Sequence, residues 1–156
     1  MRSIKSTLSI LFGFCLLISC TLELDYSLPK DEKIHPNLLG KWHNESIPDE
    51  YMKVMKTDDY TYKFILHNTE ETTELFGFSK TINGQHFITL THEVDGKQVY
   101  SFYHLKITGD QLVSQEINNE LPKDDINSQA DVVNYFKTNM SRPDFYKAHF
   151  KLSRVQ

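Results

Sequence analysis

From Tyr51 to Ile117 apolar and polar residues alternate in short runs separated by turn residues, the period of strands rather than of helices. Tyr51 to Thr57 and Tyr60 to His67 flank Asp58-Asp59; Thr72 to Ile82 and His86 to Val94 flank Asn83-Gly84. Lys97 to Ile107 follows Asp95-Gly96, and Gln111 to Ile117 follows Gly109-Asp110. Asn-Gly and Asp-Gly supply the left-handed backbone that two-residue hairpin turns demand, so these runs predict antiparallel neighbours. An earlier strand is expected to open at Asn37-Leu38-Leu39-Gly40-Lys41-Trp42. After the polar stretch Asn118 to Asn127, Ser128-Gln129-Ala130-Asp131 predicts the capped start of an amphipathic helix with Val132, Val133, Tyr135, Phe136 and Met140 on one side. Pro143 bars its continuation. Phe145 to Val155 alternates again, with Ala148, Phe150 and Leu152 on one face, as a last strand. The expected fold is all-β: an antiparallel up-and-down meander of about eight strands closing into a barrel or half-barrel, with one helix before the last strand.

Two-residue turns at Asn83-Gly84 and Asp95-Gly96 also dictate register, because every cross-strand pair follows by counting back from the turn. One face then carries Thr73, Leu75, Gly77 and Ser79 with Ile88, Leu90 and His92, and with Val99, Ser101, Tyr103 and Leu105. The opposite face aligns Phe76 with Thr91 and Tyr100, Phe78 with Thr89 and Phe102, and Lys80 with Phe87 and His104. Neither face is polar enough to meet water, so both should be covered. Three readings follow. The aromatic face is the barrel interior and the helix closes the aliphatic one; or one face lines a cavity for an apolar ligand; or the aromatics dock another protein. On the second reading Phe76, Phe78, Phe87, Tyr100 and Phe102 are the candidate ligand-binding residues, expected as one contiguous cluster. Gly77, between two phenylalanines, fits a close approach of ligand or backbone, or a bend.

Ahead of this domain the pattern changes. Arg2 and Lys5 precede an apolar run from Leu8 to Ile18, too short for a spanning helix of about 20 residues, and Ser19 stands before Cys20. Leu17-Ile18-Ser19-Cys20 resembles the lipobox of bacterial lipoprotein signal peptides. That resemblance implies cleavage before Cys20, a diacylglyceryl group on its thiol and often acylation of the new amine. The protein is then expected in the cell envelope, its membrane partner held through the lipid on Cys20. Thr21, standing where many inner-membrane lipoproteins have Asp, points to the outer membrane if the source has two. The organisation expected is a signal peptide over residues 1–19, a lipidated Cys and flexible tether over 20–36, and one β domain over 37–156. The tether is inferred from TLELDYSLPKDEKIHP, which is polar and holds two prolines.

Charge and side-chain chemistry narrow the function classes. The chain carries a formal net charge of −4, and the signal would remove two cations and no anion. An acidic chain argues against nucleic acid as partner. The 2 cysteines leave no disulfide once Cys15 is cleaved away and Cys20 is lipidated. His86 and His92 share a face but lie about 20 Å apart along a strand, and His104 meets Lys80, Phe87 and Gln115, so no metal or cofactor is expected. The acidic groups Glu70-Glu71 with Glu74, and Asp124-Asp125 with Asp131, read as solvated or capping residues. No Gly-x-Ser-x-Gly, Cys-His or His-Glu-x-x-His arrangement occurs, so the chain is read as non-enzymatic.

Gly40-Lys41-Trp42 at the head of the first strand resembles the opening signature of lipocalin-like barrels. The resemblance implies that Trp42 packs across the bottom of the barrel and that the interior holds an apolar small molecule or lipid. The alternative function is an interaction or structural envelope lipoprotein that docks another protein.

Overall fold

A computed structural model describes residues 21–123 and 125–155, apart from the side chain of Pro48. The expected signal peptide over residues 1–19 and the expected lipidation site Cys20 lie outside the described residues. Strands β1 (Glu23–Leu24), β2 (Gly40–Asn44), β3 (Ile47–Lys56), β4 (Tyr62–His67), β5 (Thr72–Ile82), β6 (Gln85–Val94), β7 (Lys97–Thr108), β8 (Gln111–Ile117) and β9 (Tyr146–Arg154) form one sheet, and helix α1 (Gln129–Asn139) precedes β9. Every neighbouring pair is antiparallel, and β9 pairs with both β8 and β2, so β2 to β9 close an eight-stranded barrel. The expected meander and its one late helix are the observed architecture.

The turns produce the registers they predicted. Asn83 and Gly84 have φ of 49° and 80°, Asp95 and Gly96 of 51° and 76°, the left-handed pairs of tight hairpins. Ile82 faces Gln85 and Val94 faces Lys97, and Phe78 lies across from Thr89, which lies across from Phe102. Helix α1 starts as expected: Ser128 Oγ accepts from the Asp131 amide at 3.2 Å and donates to Asp131 Oδ2 at 2.7 Å.

The faces are assigned opposite to the first reading. The barrel interior is the aliphatic face, where Met52, Val54, Phe64, Leu66, Ile88 and Leu105 pack with Trp42. The aromatic face is the outside of the wall, and α1 lies on it: Phe136 meets Phe87 edge-on at 4.9 Å and Phe102 at 5.3 Å. The physical reason is width and curvature. An eight-stranded barrel is just wide enough for side chains to fill, whereas an outer helix gives large rings a second layer to pack against. Gly77 marks the concave side. A Cβ there would come within 2.6 Å of Thr89 O and 2.9 Å of Leu90 Cδ2, so β5 can bend against β6 only without a side chain.

The tether expected over residues 20–36 is corrected as well. Leu22 and Leu28 are fully buried in the layer beneath α1, and Leu24 nearly so. β1 pairs with β7 through Glu23 to Ser101 and Leu24 to Tyr100, filling the place β8 vacates as it ends. Thr21 is wedged at that fork, its hydroxyl donating to Phe102 O and accepting from the Ile117 amide. Further on, Lys80 holds Asp31 at 2.7 Å, and the Ile34 amide donates to Asp59 O at 2.9 Å. Leucines at 22, 24 and 28 give this segment enough apolar surface to bind the wall, which outweighs its polar composition.

Candidate functional site

The two ends of the barrel axis are built differently. One is shut. Trp42 is fully buried there, its Nε1 donating to Leu38 O at 2.9 Å, and the Arg154 guanidinium lies 4.2 Å over its ring. Arg154 also donates to Leu39 O at 2.8 Å and to Asn37 O at 2.6 Å, which ties the last strand to the segment entering the first. Gly40 is required at this crossing: its φ is +126°, and a Cβ would sit 2.8 Å from Arg154 Nη1. Trp42 thus packs across the bottom of the barrel.

Just inside the shut end lies a cavity of about 150 Å³ bounded by His35, Tyr62, Ser79 and His86. The His35 amide donates to the Tyr62 hydroxyl at 2.6 Å, and the two imidazoles meet edge to face at 4.7 Å. Thr81 Oγ1 lies 3.0 Å from Glu32 Oε2 and 2.9 Å from His86 Nδ1. Its proton goes to the carboxylate, so it accepts from His86, which makes Nδ1–H the tautomer and leaves Nε2 as the acceptor. Burial, helped by the neighbouring His35, holds His86 below the ordinary histidine value. Among the described residues no group of three or more His, Cys, Asp or Glu side chains is placed to hold a metal ion.

The other end encloses an apolar cavity of about 50 Å³ inside the wall. Half-buried Leu75, Leu90 and Phe150 form its mouth and Phe64 and Leu66 its sides, while Ile88 and Leu105 divide it from the polar cavity below. Ser114 and Tyr103 are the polar residues of its lining, and further polar groups occupy inward strand positions beyond it. Glu23 Oε1 lies 3.3 Å from both His92 Nε2 and Ser101 Oγ. Glu50 and Glu116 are buried carboxyls, both pushed above the ordinary glutamate value by burial; a hydrogen bond from Asn44 opposes this at Glu50 and the charge of Lys147 at Glu116. An apolar hollow with a few convergent polar groups is the ordinary form of a small-molecule site.

None of Phe76, Phe78, Phe87, Tyr100 and Phe102 lines this hollow. Phe87 and Phe102 are fully buried under α1 with Tyr100 packed beside them, Phe78 is buried outside that cluster, and Phe76 is 44% exposed at the margin. They are wall and outer core, not one contiguous pocket. No protein-family profile, curated protein or solved structure matches this chain. The reading of the site therefore rests on its geometry alone.

Sequence reasoning missed Glu23, Ser114 and Glu116. The first was assigned to the tether, although Leu22-Glu23-Leu24 is a short apolar-polar-apolar alternation. The others follow Leu112 at two-residue spacing along β8, which puts all three on the inward face. His104, by contrast, pairs as expected: its Nδ1 lies 2.9 Å from Gln115 Oε1 on the outer face.

Proposed function

We propose that this chain is a non-enzymatic lipoprotein of the cell envelope, anchored through lipid on Cys20, whose barrel holds the apolar end of a small molecule. The lipobox-like Leu17-Ile18-Ser19-Cys20 supports the anchoring, and in a source with two membranes Thr21 favours the outer one. The observation that carries the binding reading is the apolar hollow at the unplugged end, mouthed by Leu75, Leu90 and Phe150. Its size limits the occupant. Drug-sized ligands need several hundred Å³, whereas about 50 Å³ takes the tip of an unbranched chain or one small apolar group. Native mass spectrometry of the full chain, purified gently enough to keep a bound lipid, tests this together with Leu90→Trp, which fills the mouth. A retained apolar adduct that Leu90→Trp displaces is the expected result. No adduct, and no uptake of an apolar fluorescent probe by the parent, sinks the reading.

A second reading, a protein-docking lipoprotein, is favoured by one feature: Phe76 is 44% exposed beside Thr91 at the edge of the aromatic face. Large exposed aromatics are frequent anchors of protein interfaces. Phe76→Ser should abolish capture of an envelope partner on this reading and leave small-molecule uptake intact.

A further inference from the structure

We propose that the ligand of the unplugged end carries a protonated amine on its apolar chain, and that Glu116 receives the ammonium. This rests on the reading of the hollow as a small-molecule site and names the chemistry of its occupant.

The inward positions of β8 are Leu112, Ser114 and Glu116. Leu112 is core and Ser114 lines the hollow, so Glu116 stands one two-residue step, about 7 Å, further toward the mouth. It is 3% exposed and lies across from Tyr103. Among the described residues its carboxyl makes no hydrogen bond or ion pair; the charge of Lys147, which Glu120 holds at 3.1 Å, acts on it without pairing to it. The other acids of the rim are already engaged. Glu23 has His92 and Ser101, and Glu50 has Asn44. His92 lies on the same face with its Nε2 3.3 Å from Glu23 Oε1, but that buried nitrogen makes no hydrogen bond among the described residues.

A carboxylate largely out of water with no donor bound to it is costly, and an ammonium supplies what is missing: opposite charge and up to three N–H donors. An alkyl chain running from that ammonium past Leu90 toward Phe64 enters the apolar hollow. The small free volume favours an unbranched chain, and the acidic rim disfavours anionic amphiphiles. A protonated Glu116 would instead donate to a carboxylate or carbonyl, and the choice is measurable.

The full-length protein is titrated with n-octylamine, n-octanol and n-octanoate near neutral pH, with binding followed by amide chemical shifts of β6 to β8. Octylamine should bind about tenfold or more tighter than octanol, a difference of roughly 1.4 kcal/mol or more. Glu116→Gln, which keeps shape and removes charge, should bring the amine down to the affinity of the alcohol and leave the alcohol unchanged. Glu50→Gln should preserve the preference. Equal binding of amine and alcohol, tightest binding of octanoate, or loss of the preference in Glu50→Gln instead overturns the proposal while leaving the apolar site standing. No binding of any of the three overturns both. Should Glu116→Gln fail to fold, the ranking of the three ligands on the parent decides by itself.

Discussion

The shut end of the barrel uses its polar groups to tie the last strand to the incoming chain, leaving His35 Nε2 without a hydrogen-bond partner among the described residues, whereas the unplugged end sets carboxyls beyond an apolar hollow. At the first, Trp42 Nε1 and Arg154 donate to three carbonyls of the incoming chain, those of Asn37, Leu38 and Leu39, and the Tyr62 hydroxyl accepts from the His35 amide. At the second, Glu116 stands buried one two-residue step beyond Ser114 of the apolar hollow, with no hydrogen bond among the described residues and with the charge of Lys147 acting on it. Both ends keep free volume, about 150 Å³ at the first and about 50 Å³ at the second, but the first is lined by polar groups and tied across by Arg154, whereas the second is apolar with a buried carboxyl one step beyond it.

The contrast can be broken most forcefully at Trp42. Trp42→Ala removes a fully buried ring and the surface on which Arg154 rests, so a loss of about 3 to 5 kcal/mol is expected by denaturant unfolding. An unchanged midpoint would show that the shut end is not what holds the barrel. Leu22→Ala comes next, at roughly 2 to 4 kcal/mol, because Leu22 is fully buried beneath α1. A true tether residue would cost nothing, so the same measurement separates an integral β1 from a spacer. Arg154→Ala should cost about 1 to 3 kcal/mol, the usual range for leaving carbonyls without their donors; a smaller loss would mean that water replaces the guanidinium freely.

The smallest effect belongs to the unplugged end and has a sign. Burial holds the folded carboxyls of Glu50 and Glu116 above their ordinary value, so the folded protein binds these protons more tightly than the unfolded chain. The stability they contribute is complete below the ordinary carboxylate range and is lost as pH rises through the raised value. Glu116→Gln cannot ionise. Between about pH 4 and about pH 7 it should lose less stability than the parent, in melting curves taken at both. A parent that gains stability relative to the variant over that interval would mean that Glu116 is paired after all.

Much of this fold was legible because its information is local. Asn83-Gly84 and Asp95-Gly96 demand tight hairpins, and the registers of three strands follow from them by counting. Ser128 and Asp131 specify the helix start in the same way. What was not legible is which side of the sheet is concave, because register states which residues share a face but not which way the face bends. Closure through the β2–β9 pair and the crowding at Gly77 decide that, and both depend on residues far apart in sequence. The error carried into the site: Phe76, Phe78, Phe87, Tyr100 and Phe102 were correctly grouped by strand and assigned to the wrong compartment. Glu23 was hidden for a different reason. Two leucines flanking it are too short a pattern to outweigh the prolines and charges that follow, and only a partner strand 78 residues away, at Ser101, gives it a place.

Thr21 sets a mechanical limit. On the proposed anchoring, the acylated residue is joined by a single peptide bond to one already locked between β7 and β8. A spacer of sixteen residues would let the barrel roam a few nanometres above the bilayer, sampling every orientation. Without that slack, its reach is the depth of the lipid headgroups and its attitude is nearly constant. On that anchoring, whatever the barrel meets, it meets at the membrane surface.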